Sequence, residues 1–466
     1  MTAQVESNRA AAAVSALCAH PAVADAAVRD GVAYLVPDPD HAPMLHRAAG
    51  IEADGGLGTL AWHEPSDDLR VAGVNRAESD FLYREIFADD TYFRSGVTLP
   101  PGAVVVDAGA NIGMFTLRVA RRVRGARIIA VEPVAELAAA VEVNARLHGL
   151  EVTVAALGLG RAEADADFTF YPKNTVMSGG FADSAEDLAV LRAYLLTDDR
   201  AESGRQLERL ATDRLSSVRR SIRTTTLSRL AREHGLDRID LLKIDVEKAE
   251  VEVLEGIDEA LWPRIDQIVM EVHDLGGRLR SVVGTLRARG FEVTSDQDRR
   301  LVRTPCFNVF ARRPAAPVWD AATEDTGPPA QDGPTQRILE VQLKEMLRDR
   351  FPGVEPPARF EVVSAVGHVV DPATAPGGTV VRTHRTQALA AIWSDLFGPD
   401  SVRPDANFFD LGGDSLTAVR MLGRLEDALG EDTLAPDMIF TLATFGALAD
   451  AVEASVPTGP HPDDPS

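Results

Sequence analysis

Cysteine is scarce in this chain: of 466 residues only Cys18 and Cys306 are cysteines, far apart and without metal-ligand spacing. A disulfide framework is thereby excluded, both thiols read as core residues, and a reducing compartment suits the composition. Positive charge is also in short supply. Lys and Arg number 48 against 71 Asp and Glu, a formal net charge of −23, so the surface would repel nucleic-acid phosphates and no nucleic-acid partner is expected. No apolar run approaches the length that spans a bilayer, and the opening MTAQVESNRAAAA lacks the basic region and apolar core of a secretory signal. The expectation is a cytoplasmic protein without a membrane partner. Short internal repeats are missing too, and the length suggests about two to four domains.

Composition shifts mark the joints. PDPDHAPM from Pro37, the Pro-, Ala- and acid-rich stretch from Arg312 to Gln336, DPATAPGGTVVRTH from Asp371 and the tail PTGPHPDDPS all read as breaks or linkers. Between the first two, the strand-like runs VVVDAGA, RIIAVEP, EVTVAALGL, IDLLKIDVE, QIVMEVHD, FEVTSDQD and FNVFARR occur with helical ones such as AELAAAVEVNARLHGL. Strand and helix in turn predict an α/β fold, a parallel, doubly wound sheet with helices on both faces. Ligands bind such sheets outside the carboxyl ends of the strands.

DAGANIG, Asp107 to Gly113, follows the first of these strands and opens a helix, and its small residues let a ligand approach the backbone. Glu132, at the end of the second strand, is placed to hold the two hydroxyls of a ribose. Both features suit NAD as well as S-adenosyl-L-methionine. The loop lacks the G-x-G-x-x-G spacing that admits a pyrophosphate, and Asp107 ends the strand where a cationic donor is welcome, so the methyl donor is favoured. Asp245 and Glu247 end LLKIDVE, while Glu271, His273 and Asp274 end IVMEVHD, at the same expected sheet edge. A hydroxyl nucleophile must lose its proton, which His273 or Asp245 could accept, with a carboxylate orienting the histidine. A histidine that only caps its strand is the plain alternative. The same groups could hold a divalent cation, although no metal is expected. Tyr83, Arg84 and Tyr92 are candidates to face the substrate.

NFFDLGGDSLTAVRML, from Asn407 to Leu422, sets Ser415 at the start of an apolar-faced helix. Free N–H groups and the positive end of the helix dipole welcome an anion there, such as a phosphodiester; an ordinary N-cap uses the same residue types. ALAAIWSDLFG and DMIFTLATFGALADAVEA supply further helices, which predicts a four-helix bundle.

These residues carry three resemblances. Arg70 to Arg313 resembles an FkbM-type methyltransferase of the O-methylating kind embedded in synthase modules, on the run from Glu78 through DAGANIGMFTL, then FYPKNTVMSGGFAD, LLKIDVEKAEVEVLEGI and IVMEVHD. The resemblance implies a Rossmann-like class I methyltransferase fold in which Asp107, Gly109, Asn111, Gly113 and Glu132 bind S-adenosyl-L-methionine. His384 to Ala454 resembles the thiolation (peptidyl or acyl carrier) domain of nonribosomal peptide and polyketide synthases, on LGGDSL. That implies 4'-phosphopantetheine on Ser415, installed by a phosphopantetheinyl transferase. Val14 to Asp40 and Ile338 to Asp371 resemble two parts of the small C-terminal subdomain of an adenylation domain, split by the methyltransferase. The large nucleotide-binding part is not among these residues, and His368 stands where the catalytic lysine is expected, so adenylation is not expected and a separate loading enzyme is. The expected units are a split remnant at 1–45 and 337–376, the methyltransferase at 46–313, a linker at 314–336, the carrier at 384–455 and a disordered tail at 456–466. The expected function is O-methylation of an acyl or aminoacyl thioester on Ser415, with downstream synthase modules as partners. N-methylation of a carrier-bound amine and a non-catalytic carrier scaffold are the alternatives.

Overall fold

The computed structural model describes residues 2–29, 31–182, 186–188, 215–298, 302, 304–316, 332–351, 354–357, 359–366, 384–398, 401–404, 406–409, 411–413, 415–429, 433–434 and 438–454. His368, most of the expected linker and the tail lie outside them.

In chain order, β1 (Val23–Arg29) and β2 (Val32–Pro37) form a hairpin, as do β3 (Ala61–Ser66) and β4 (Leu69–Gly73). Next come β5 (Val104–Ala108), β6 (Arg127–Val131) and β7 (Val152–Ala155), then β8 (Gly158–Leu159), β9 (Ala164–Phe170) and β10 (Val218–Thr225). β11 (Leu241–Ile244), β12 (Gln267–His273), β13 (Glu292–Asp296), β14 (Cys306–Arg312) and β15 (Arg359–Val362) complete the strands described.

Seven strands make the central sheet in the order β13-β14-β12-β11-β5-β6-β7. β7, β6, β5, β11 and β12 are parallel neighbours, with helices Met114–Arg122 and Ala135–Leu147 as crossovers between β5, β6 and β7. The expected α/β fold is present. The strand order turns back between β5 and β11, so the loops after these strands open one crevice. One strand breaks the expected parallelism: β14 runs antiparallel to both β12 and β13. Residues 297–305 are too few for the crossover that parallel pairing requires. EVTVAALGL is also not one strand, because the Leu157 N–H turns back onto the Ala155 carbonyl at 2.9 Å and sends β8 into a separate sheet of order β8-β10-β9. That small sheet contributes a wall of the crevice.

β15 pairs in parallel with β2, so segments from either side of the central sheet's sequence share one sheet. Leu17, Leu35, Leu339, Leu343, Leu347 and Phe360 bury in one core there. The end of the expected linker is not free chain. Asp332, 8% exposed, accepts from Arg47 Nη2 at 2.9 Å and faces His148 Nδ1 at 3.0 Å, while the Gln336 N–H donates to Glu64.

Helices His384–Phe397, Ser415–Leu429, Met438–Leu442 and Phe445–Ala454 pack around Trp393, which Phe397, Phe408 and Phe445 meet edge-on. This is the expected four-helix bundle. Among the described residues no helix is long and apolar enough to cross a membrane.

Candidate active site

A cavity of about 510 Å³ opens at the carboxyl ends of β5, β6, β11 and β12. Its donor end begins where β5 stops. Gly109, Asn111 and Gly113 have φ of +76°, +50° and +84°, the left-handed region that glycine adopts freely and asparagine tolerates. The neighbouring loop requires glycine at 109: a Cβ there would lie 1.7 Å from the Asp245 carbonyl oxygen. Asn111 N and Val134 N donate to the two carboxylate oxygens of Glu132, at 2.9 and 3.0 Å. Burial nonetheless pushes the Glu132 carboxyl up to about 7, against these two bonds.

Of the five residues expected at the donor, Gly109, Asn111 and Glu132 line the cavity, whereas Asp107 and Gly113 do not. Asp107 is 0% exposed, accepts from Thr116 Oγ1 at 2.7 Å and pairs with Lys243 at 3.2 Å. Its place on an inward-facing strand position makes it a support of the loop. Gly113 starts helix Met114–Arg122 close against Val141. Lys243, a lysine inside the apolar run LLKI, escaped sequence reading. Burial alone would lower it, but Asp107 and Asp245 outweigh that and hold its ammonium above the ordinary lysine range, while it donates to the Gly109 carbonyl at 2.7 Å. It thus ties β5, β11 and the donor loop together.

The other end is built from ionisable side chains. Asp245, Glu247, Glu271 and His273 all line the cavity, as sequence grouping expected. Buried Tyr92 donates to Asp245 Oδ2 at 2.8 Å; burial, then the acids Asp245, Glu85 and Glu271, hold its phenol well above the usual range, so it stays a donor. Arg84 lines the cavity, but Tyr92 stands behind it and Tyr83 stacks on Phe87. Burial first and neighbouring carboxylates second push both Glu247 and Glu271 well above the usual carboxyl range. Carboxylate oxygens of Asp245, Glu247 and Glu271 lie within 4.8 Å of one another, a donor set of the kind hard cations use. Cys306 is buried, and burial pushes its thiol up; Cys18, by contrast with the expectation, is exposed.

His273 is 3% exposed, with Nδ1 2.9 Å from Glu250 Oε1 and Nε2 3.3 Å from Glu247 Oε2. Its ring is thus held between two carboxylates. Glu247 and Lys248 are consecutive left-handed residues, φ +47° and +71°, a strain of roughly 1–3 kcal/mol each. Buried Lys248 compensates by pairing with Asp187 at 2.7 Å. Asp274 turns away to accept from the Leu279 N–H.

The carrier bundle reaches the same cavity. Gly412 has φ +86°, and a Cβ on Gly413 would lie 2.5 Å from the Phe408 ring, so LGGDSL needs both glycines for its turn. Ser415 then begins helix Ser415–Leu429. Phe409 and Gly413, six and two residues before it, line the cavity wall.

Comparison with known proteins agrees with this architecture. The Methyltransferase FkbM domain family matches residues 107–293. The 31-O-demethyl-FK506 methyltransferase FkbM of Streptomyces tacrolimicus is 42% identical over 246 residues, 53% of this chain and 94% of that protein. The chain belongs to the FkbM methyltransferase family. In this family member a second family, the phosphopantetheine attachment site, matches residues 387–452. The AMB antimetabolite synthetase AmbE of Pseudomonas aeruginosa is 34% identical over 498 residues, 96% of this chain, yet the chain spans only 23% of AmbE. A solved methyltransferase FkbM from Methylobacillus flagellatus is similar over 47% of this chain and 46% of its own, at 14% identity and a TM-score of 0.31. The FkbM-family domain uses S-adenosyl-L-methionine and the carrier domain 4'-phosphopantetheine. The donor end fits: Glu132 is a cavity-lining acid to which a ribose diol would bring two O–H donors.

Proposed function

We propose that this chain O-methylates an acyl or aminoacyl group held as a phosphopantetheine thioester on Ser415, within nonribosomal peptide or polyketide biosynthesis. The observation that carries the reading is the shared wall: residues of the carrier turn, Phe409 and Gly413, line the cavity that also holds Glu132 and His273. Bound S-adenosyl-L-methionine would supply a methyl group whose carbon the nucleophile attacks as its bond to sulfur breaks. Gly109, Asn111 and Glu132 hold the donor, Lys243 keeps their loop in place, and the arm from Ser415 delivers the acceptor, so that positioning supplies much of the rate. A hydroxyl must give up a proton as it attacks, and His273 Nε2 receives it. Tyr92 and Lys243 both meet Asp245 at Oδ2; of the two expected bases the reading takes His273, histidine being the commonest general base.

In this reading a phosphopantetheinyl transferase installs the arm, a separate adenylating enzyme loads it, and downstream modules receive the product. The split N-terminal unit is read as the small C-terminal subdomain of an adenylation domain, its two parts joined by the pairing of β2 with β15. The test is to isolate the protein from its native host, identify the thioester on Ser415 by intact mass, and react it with 13C-methyl donor. A methoxy carbon signal in the product supports the reading. An N-methyl signal makes the chain an N-methyltransferase, and donor binding without any transfer makes it a carrier scaffold.

A further inference from the structure

We propose that Glu250 is a positioning residue that fixes His273 with its proton on Nδ1, so that the lone pair of Nε2 lies on the cavity side beside Glu247. The inference rests on the reading of His273 as proton acceptor given above. Glu250 is the first residue of helix Glu250–Glu255, 0% exposed and absent from the cavity wall, so it touches neither donor nor acceptor. Sequence reading passed over it.

Every partner of its carboxylate besides the imidazole is a donor. Oε1 accepts from the Lys248 N–H at 3.0 Å, and Oε2 from Arg278 Nη1 at 2.9 Å. His273 Nδ1 lies 2.9 Å from Oε1. An acceptor at that distance requires the proton on Nδ1, and the neutral ring then has its lone pair on Nε2. Nε2 lies 3.3 Å from Glu247 Oε2 and 3.8 Å from Glu271 Oε1, on the side of the ring where the cavity is. The proton taken from a substrate hydroxyl ends on Nε2, and the resulting imidazolium faces the Glu250 carboxylate across the ring, the logic of an oriented histidine base.

The strained turn has a purpose in this arrangement. Left-handed Glu247 and Lys248, three and two residues before Glu250, turn the chain so that Glu247 meets Nε2 while Glu250 meets Nδ1 of the same ring. Arg278 balances the buried charge of Glu250. The other ionisable groups around the ring are Glu271 on its own strand, Cys306 opposite it in the β12–β14 pair, Asp245 at the end of β11, and Lys248.

The first test is the tautomer itself. In 15N spectra of the full chain with labelled histidine, His273 is assigned by its loss in His273→Asn. A proton on Nδ1 in the neutral ring is expected; a proton on Nε2 overturns the proposal. The second test is Glu250→Gln, whose amide can present either a donor or an acceptor to Nδ1. On protein carrying its native thioester, the single-turnover methyl-transfer rate should fall about tenfold or more, and the 15N spectrum should show the ring no longer held in one tautomer. Donor affinity should not change. A wild-type tautomer and a wild-type rate in folded Glu250→Gln overturn the proposal. Should Glu250→Gln not fold, the wild-type tautomer decides alone. If the wild-type protein transfers no methyl group, the base reading fails, while the tautomer still tests Glu250.

Discussion

At its donor end the cavity is walled by backbone: left-handed Gly109 and Asn111, and N–H groups that hold both oxygens of Glu132. At the other end it is walled by Asp245, Glu247, Glu271 and His273, acids crowded closely enough that burial and mutual repulsion raise two of them. A ligand that is the same in every turnover suits a rigid cradle, whereas proton transfer needs groups poised between two states. The difference predicts that changes at the donor end act on affinity and changes at the chemistry end on rate.

The largest effect should come from removing delivery while leaving both ends intact. Ser415→Ala should abolish attachment of the phosphopantetheine arm, seen as an unchanged intact mass after treatment with a phosphopantetheinyl transferase and coenzyme A, and with it all transfer to the carrier. Donor binding should not respond. His273→Ala should lower the single-turnover rate on loaded carrier by roughly a hundredfold or more, with calorimetric donor affinity nearly unchanged; a large loss of affinity would erase the division between the ends.

Glu132→Gln should do the reverse, weakening S-adenosyl-L-methionine by about tenfold through loss of a charged acceptor for the ribose hydroxyls. Glu132 also gives a pH signature. Its carboxyl titrates at about 7 in the donor-free protein, and the donor's hydroxyls favour the ionised form. Donor binding should therefore release a proton below about 7, affinity rising with pH up to that point and levelling above it. Glu132→Gln should flatten this dependence. Smallest of all, Asn111→Gly relieves a left-handed residue and loses the 3.0 Å bond to Thr175, so thermal stability should shift by no more than about 1 kcal/mol.

The same division governs how much could be read from sequence. DAGANIG, Glu132 and LGGDSL are local: turn, glycine and following helix are contiguous, and the period of the flanking strands and helices places them. Asp107 looked like a donor contact because it ends a strand in that motif, but strand alternation turns it inward onto Lys243. Gly109 was read as making room for a ligand; glycine is needed there in addition because the Asp245 carbonyl, just after a strand more than a hundred residues later, comes close. Glu250 and Lys243 left no pattern of their own, since their partners come from neighbouring strands and loops. The antiparallel β14 was hidden for a simpler reason: its buried, apolar sequence is equally compatible with either direction, and only the short 297–305 connection tells them apart.

The central claim is that the arm on Ser415 brings the acceptor to the base end of this cavity. Its most direct test compares single-turnover methylation of one acyl group, identified from the native protein, presented on Ser415 or as the free acid at micromolar concentration. Tethering gives effective concentrations on the order of millimolar, so the carrier-bound group should react at least about a hundredfold faster. Equal rates for the two forms would contradict the account.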